Sequence, residues 1–173
     1  MRFTLIDQIS DLKPGRSISV VKTLSPTEEY LQDHFPCFPV MPGVLMLEAM
    51  YQASALLVFA TEGFQHSTIL LKEARNVKYT DFMKPGERLE IHCELVKMQD
   101  SLAILKAWGM VGQRKAISGK LVLERFNVSD RLPGRAARDE YARLKMRQHL
   151  EMLQCTNHTR EQKHLRSGSF VPY

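Results

Sequence analysis

This chain has few of the residues that would commit it to cross-links, metals or lipid. Three cysteines occur in 173 residues, Cys37, Cys93 and Cys155. They form no spaced framework, so disulfides are not expected and a reducing cytoplasm fits. His34-x-x-Cys37 has a metal-like spacing, as does Cys155-x-x-His158 with His164. Neither supplies the second pair of ligands that a closed zinc site needs, so no metal or other cofactor is expected. No secretory leader is visible, because Met1-Arg2 runs straight into F-T-L-I-D-Q-I-S. The apolar run that starts at Val44 is broken by Glu48 and Gln52. It falls short of the roughly 20 residues of a membrane span and reads as a core helix. Internal repeats and low-complexity segments are missing too. The length suits one domain with a real core.

Charge is present but unevenly placed. Of the net +5, residues 127–173 carry +4, with nine Lys/Arg against five Asp/Glu, while residues 1–126 are close to neutral. A basic surplus attracts an acidic partner or a phosphate surface. Nucleic acid is disfavoured, because the basic tail has no interleaved aromatics and no recognised binding module is present.

What the chain does have is one unusual stretch, Asp33 to Phe59: D-H-F-P-C-F-P-V-M-P-G-V-L-M-L-E-A-M-Y-Q-A-S-A-L-L-V-F. Its first part wedges His34 among Pro36, Pro39 and Pro42, too rich in proline for a helix or an inner strand. Pro42-Gly43 then suits a helix start, and good helix formers follow from Val44 to Ala60. Glu48 and Gln52 stand at i, i+4 with Tyr51 between them, making one narrow polar stripe on an otherwise apolar helix. A carboxylate on a buried helix is costly unless paired or protonated. The histidine 14 residues upstream, in the loop that leads into the same helix, makes chemistry the better reading of that cost.

The rest of the chain predicts strands around this helix. Phe3 to Ile9 reads as a short helix or turn, Ser17 to Leu24 as a first strand, and Ser25-Pro26 as the opening of a helical turn. Gly63 ends the long helix. Thr68 to Val77, Arg88 to Met98, Leu102 to Val111 and Lys115 to Phe126 follow as strands. The second of these alternates cleanly, and the third is apolar on both faces apart from Lys106, as an inner strand should be. One buried helix followed by consecutive antiparallel strands predicts an α+β fold with a curved sheet wrapped around the helix. Residues 1–126 are expected to form this domain. Residues 127–173 form a basic extension, with a helix around 136–153, read as solvated, and then a mobile tail. His92 and His66 read as surface residues, and Met41, Met46 and Met50 as core or chain-lining residues.

The pattern H-F-P-x-x-P-V-M-P-G-V-L-x-x-E-A-M-x-Q resembles the signature of the 3-hydroxyacyl-acyl-carrier-protein dehydratases of fatty-acid synthesis. It is closer to their Glu-containing, broad-chain-length branch than to the Asp-containing dehydratase/isomerase branch. The likeness runs from about Phe3 to Phe126 and takes in L-K-P-G early and K-Y-x-x-F-M-K-P-G-E-R-L later. It implies the hotdog fold and a homodimer, or a trimer of such dimers, with each site built from His34 of one subunit and Glu48 of the other. The expected partner is an acidic acyl carrier protein bearing the substrate. By the same resemblance His34 and Glu48 are catalytic and the Gly43 N–H faces the thioester carbonyl. Phe35, Val44, Tyr51 and Gln52 contact substrate, although Gln52 could equally orient Glu48 or simply pack.

The chemistry of these residue types agrees. A helix N-terminus polarises a carbonyl, an imidazole takes a proton near neutral pH, and a carboxyl can protonate a leaving hydroxyl. Three positions depart from the family. Cys37 stands where glycine is usual, Thr80-Asp81 replaces a basic pair, and Tyr51 replaces a small residue. Two other functions fit the same fold: an acyl-thioesterase, in which a carboxylate activates water, and a non-catalytic acyl-binding paralogue. A role in related lipid or polyketide biosynthesis is also compatible with the pattern.

Overall fold

The computed structural model describes residues 4–35 and 37–166, with side chains described as far as Cys155. Phe3, Pro36, the side chains of His158 and His164, and residues 167–173 of the expected tail lie outside the described residues; the helix expected around 136–153 runs on to Arg166 instead of giving way to a mobile tail there. The elements are β1 (Gln8–Lys13), β2 (Ser17–Thr23), a 3-10 turn at Glu29–Leu31, α1 (Gly43–Thr61), β3 (Thr68–Tyr79), β4 (Arg88–Gln99), β5 (Leu102–Val111), β6 (Arg114–Phe126), a short α2 (Val128–Arg131) and α3 (Ala136–Arg166). The six strands form one antiparallel sheet in the order β1-β2-β4-β5-β6-β3. α1 packs against β2, β4, β5, β6 and β3, so the sheet wraps it.

Alternation decides which way each strand faces. Leu89, Ile91 and Cys93 of β4, and Ala103, Leu105 and Ala107 of β5, point at α1 and are buried. On the helix, Met46, Ala49, Met50 and Ala53 to Phe59 are buried against them. By length and composition α1 could cross a membrane, but here the sheet supplies its apolar surroundings. Just past its end, Glu62 is buried and paired with Arg125 of β6 at 3.1 Å and with His66 at 2.9 Å. His66 is therefore a half-buried partner rather than a surface loop residue. His92 is also half-buried, stacked on Trp108 at 5.5 Å and bonded to Ser19 Oγ at 2.9 Å.

Two further sequence expectations need correction. Ile9 lies in a strand, not in a helix or turn. Ile6, Ile9 and Leu12 recur every three residues, which mimics a helix, but the register of β1 on β2 shifts between Ile9 and Asp11. That bulge resets which side faces inward. The C-terminal helix, expected to be solvated, is instead anchored. Asp139 is buried, and its carboxylate accepts from Ser67 Oγ at 2.5 Å and from the Val128 and Ser129 N–H groups at 2.9 Å each. Burial pushes this carboxyl up, but hydrogen bonds from the Ser129 and Ser67 side chains, together with those main-chain N–H groups, hold it well below the usual range. Leu150 and Leu153 are buried further along, where α3 packs on β1.

Candidate active site

The site is organised by the start of α1. Pro42 is extended (φ −54°, ψ 134°) and Gly43 is the first helical residue. The Met41 N–H donates to the Met83 carbonyl at 2.9 Å, which ties the proline loop to the segment between β3 and β4. The first turn of a helix leaves N–H groups unpaired and carries the positive end of the dipole. Gly43 is required there for space. A Cβ would lie 2.9 Å from Cδ1 of Tyr79, whose ring covers the glycine.

His34 sits in the loop before this turn and is half-buried, with its N–H donating to the Tyr30 carbonyl at 3.2 Å. Its imidazole lies against the Phe35 ring, centroids 4.4 Å apart. Phe35 has φ 51°, an uncommon conformation for a bulky residue, and its side chain is 56% exposed. Such an outlier beside an imidazole points to a constrained functional loop. Phe38 meets Phe82 edge-on at 5.7 Å, and the Lys84 ammonium lies 5.5 Å over the Phe38 ring. Val44, in the first turn of α1, is 66% exposed. Phe35, Phe38, Val44, Tyr79 and Phe82 thus form an exposed apolar rim around the loop and the helix start.

Glu48 is half-buried one turn into α1. Gln52 Nε2 donates to Glu48 Oε1 at 3.0 Å, while Gln52 Oε1 accepts the Leu5 N–H at 2.9 Å. The amide is therefore held at both ends, and packing is not its whole role. Tyr51 donates to the Ile69 carbonyl at 2.7 Å. Burial first, and the Glu48 charge second, push its phenol up.

Within this chain these residues fall into two groups, His34 with Phe35 on the loop, and Glu48 with Tyr51 and Gln52 on the helix. Among the described residues no hydrogen bond or ion pair joins His34 to Glu48. Tyr51 and Gln52 also line a cavity of about 490 Å³ between α1, the start of β3 and α3. The sequence reading gave no role to Tyr79, Met83, Leu5 or α3. Tyr79 and Met83 lie inside the K-Y-x-x-F-M-K-P-G pattern, which was the signal available for them; Leu5 and α3 left no comparable mark.

Residues 1–120 match the FabA-like domain. The 3-hydroxyacyl-[acyl-carrier-protein] dehydratase FabZ of Pediococcus pentosaceus is 34% identical over 116 residues, covering 67% of this chain and 78% of that protein. The FabZ protein of Clostridium kluyveri is 33% identical over 129 residues, covering 75% of this chain and 88% of its own length. Among solved structures, the dehydratase heterocomplex ApeI:P from Xenorhabdus doucetiae superposes with a TM-score of 0.59 at 16% identity, over 75% of this chain and 87% of that one. Protein smu.793 from Streptococcus mutans, bound to acetyl CoA, gives 0.59 at 12% identity, over 73% and 94%. At these identities the structural likeness speaks for the fold, which is the hotdog arrangement of a curved antiparallel sheet around one long helix.

Proposed function

The chain belongs to the FabA-like family of 3-hydroxyacyl-acyl-carrier-protein dehydratases, and from that premise we propose how its own residues carry the reaction. The enzyme removes water from 3-hydroxyacyl thioesters held on acyl carrier protein, in fatty-acid biosynthesis, and yields the trans-2-enoyl thioester. Gly43 at the N-terminus of α1 offers its N–H to the thioester carbonyl, which acidifies the C2 hydrogen. The His34 imidazole takes that proton. The C2–H electron pair becomes the C2–C3 π bond, the C3–O bond breaks, and the Glu48 carboxyl protonates the departing hydroxide to water. The elimination is redox-neutral, so these groups suffice. Solvent then returns each to its starting protonation state. Phe35 and Val44, both exposed beside His34 and Gly43, flank the thioester, and Tyr51 and Gln52 flank the chain.

The observation that carries this reading is the Leu5–Gln52–Glu48 chain of hydrogen bonds, which fixes a carboxyl on the helix whose first residue is the crowded Gly43. A homodimer completes the site, with His34 of one subunit working beside Glu48 of the partner subunit. The exposed aromatic rim and the open edge of β3 support it, since a 12-residue edge strand is a ready template for pairing. An acidic carrier is favoured by Lys78 and Lys84, exposed near the rim. Asp81, which replaces a basic residue there, shares Arg114 with Glu87. The Phe82 N–H holds its carboxyl low, and Arg114 pairs with it. Three cysteines that form no spaced framework favour the cytoplasm.

The test is enoyl absorbance on carrier-linked 3-hydroxyacyl substrate. His34→Ala and Glu48→Gln should each lower kcat by about a hundredfold or more while the protein stays folded. Thiol release from a plain acyl thioester, with no enoyl product from the hydroxy substrate, would replace the dehydratase by a thioesterase. Full retention of a cellular role by both variants would instead favour an acyl-binding paralogue.

A further inference from the structure

Gln52 belongs to two places at once: it bonds Glu48, and it lines the cavity bordered by α3. Tyr51 does the same, sensing the Glu48 charge while lining that space. The cavity therefore begins one side chain away from the carboxyl. Ala55 and Phe59 of α1, Ile69 of β3, and Ala142 and Met146 of α3 make its walls largely apolar, while Arg138, Lys145 and His149 of α3 add polar groups. At about 490 Å³ it falls within the range of small-molecule sites. The far wall is not part of the family domain, since the match ends at residue 120 and α3 begins at Ala136. That wall is nevertheless fixed. Asp139 is locked to Ser67 and α2, Arg143 donates to Asn127 Oδ1 at 3.1 Å, and Arg147 lies over the Phe64 ring at 5.1 Å. On the Lys145 side the ammonium is engaged with Gln148 at 3.3 Å and with the Tyr141 ring at 5.5 Å.

We infer that the α1–β3–α3 cavity takes the alkyl tail of the acyl substrate, so that α3 acts as a chain-length gauge added to the catalytic domain. The inference rests on the dehydratase reading above. An apolar tail entering past Gln52 exchanges water for the Phe59, Ile69 and Met146 surfaces, and the discrimination sits with α3 because Ala142 and Met146 line the wall that the family domain lacks.

The test uses the full-length protein and carrier-linked 3-hydroxyacyl substrates of four, twelve and sixteen carbons. Ala142→Trp fills the cavity from the α3 side. It should lower the ratio of kcat/KM for twelve over four carbons by tenfold or more, the scale set by lost apolar contacts in a pocket. Met146→Ala enlarges the same space and should raise the ratio for sixteen over twelve carbons. Circular dichroism checks that α3 stays helical. An unchanged twelve-to-four ratio in folded Ala142→Trp, or an equal loss at every length, overturns the gauge and leaves the cavity to another occupant. If Ala142→Trp does not fold, Met146→Ala decides alone, and an unchanged sixteen-to-twelve ratio overturns it. Failure of the wild-type protein to dehydrate even the four-carbon substrate would strike the catalytic reading itself, which is a separate result.

Discussion

Replacing Gln52 tests whether Glu48 is held or merely present. Gln52→Leu keeps the side-chain volume close to the original but removes both hydrogen bonds of the amide. The Leu5 N–H, on a residue 1% exposed, then loses its acceptor, and an unsatisfied buried donor costs about 1–3 kcal/mol. For a chain of this length each kcal/mol moves Tm by roughly 2–4 °C, so a central fall of about 4–8 °C is expected by calorimetry. The second loss is the donor to Glu48. Hydrogen bonds to charged groups contribute about 1.5–3 kcal/mol. If that bond orients the carboxyl in the transition state, kcat should drop roughly ten- to a hundredfold, read as the rate of enoyl absorbance. Gln52→Glu separates the two effects. It restores an acceptor for Leu5 but no amide donor for the carboxylate that Glu48 becomes as it gives up its proton, so Tm should recover more than kcat does. A Gln52→Leu protein that loses Tm yet turns over within twofold of wild type would refute the argument and make Gln52 a purely structural residue.

Other outcomes follow from single contacts. Gly43→Ala drives a methyl to 2.9 Å from the Tyr79 ring. It should destabilise by about 1–3 kcal/mol and reduce kcat, with Tyr79→Leu in the same chain restoring part of the stability in a denaturation curve. Asp139 has a folded-state pKa below its unfolded value, so its contribution is complete above the unfolded value of about 4 and is lost as pH falls through the folded one. Hydrogen exchange at the Val128 and Ser129 amides should therefore accelerate in acid, and Asp139→Asn should remove that pH dependence. Cys93 is buried, and its thiol is pushed up to about 12, first by burial. It should resist alkylation at neutral pH until the protein unfolds, as mass spectrometry of labelled peptides would record.

Most of the sheet was legible because its strands alternate. β4 and β5 were bounded to within a residue, and the two-sided apolar pattern of β5 correctly placed it inside the sheet. β1 was hidden, since its three-residue apolar spacing becomes a strand pattern only with a bulge that depends on β2. The His34 loop, Gly43 and Glu48 were legible because proline, glycine and a lone acid are conspicuous against an apolar helix. Their supports were not. Leu5 meets Gln52 from 47 residues away and Asp139 meets Ser67 from 72, and no local pattern encodes such distances. The burial of α3 was missed for a related reason. Its apolar residues split between two faces, and only the carboxylate anchor selects the one that packs.

The i, i+4 stripe on α1 explains why a carboxyl is tolerated at the centre of this domain. A helix buried on every side would leave Glu48 without water or a partner, a cost of several kcal/mol. Here one side of α1 is covered only in part by the sheet, at the start of β3. It is closed by the N-terminal segment at Leu5, by Tyr51 against Ile69, and across a cavity by α3. The polar stripe runs along that gap, so the groups that satisfy Glu48 are also those that border space for a ligand. Closing the gap with a bulky residue on α3 should therefore act on the substrate's tail before it acts on the stability of the sheet. The proposed catalytic acid and the proposed chain-length gauge are two consequences of leaving the same face of one helix only partly covered by strands.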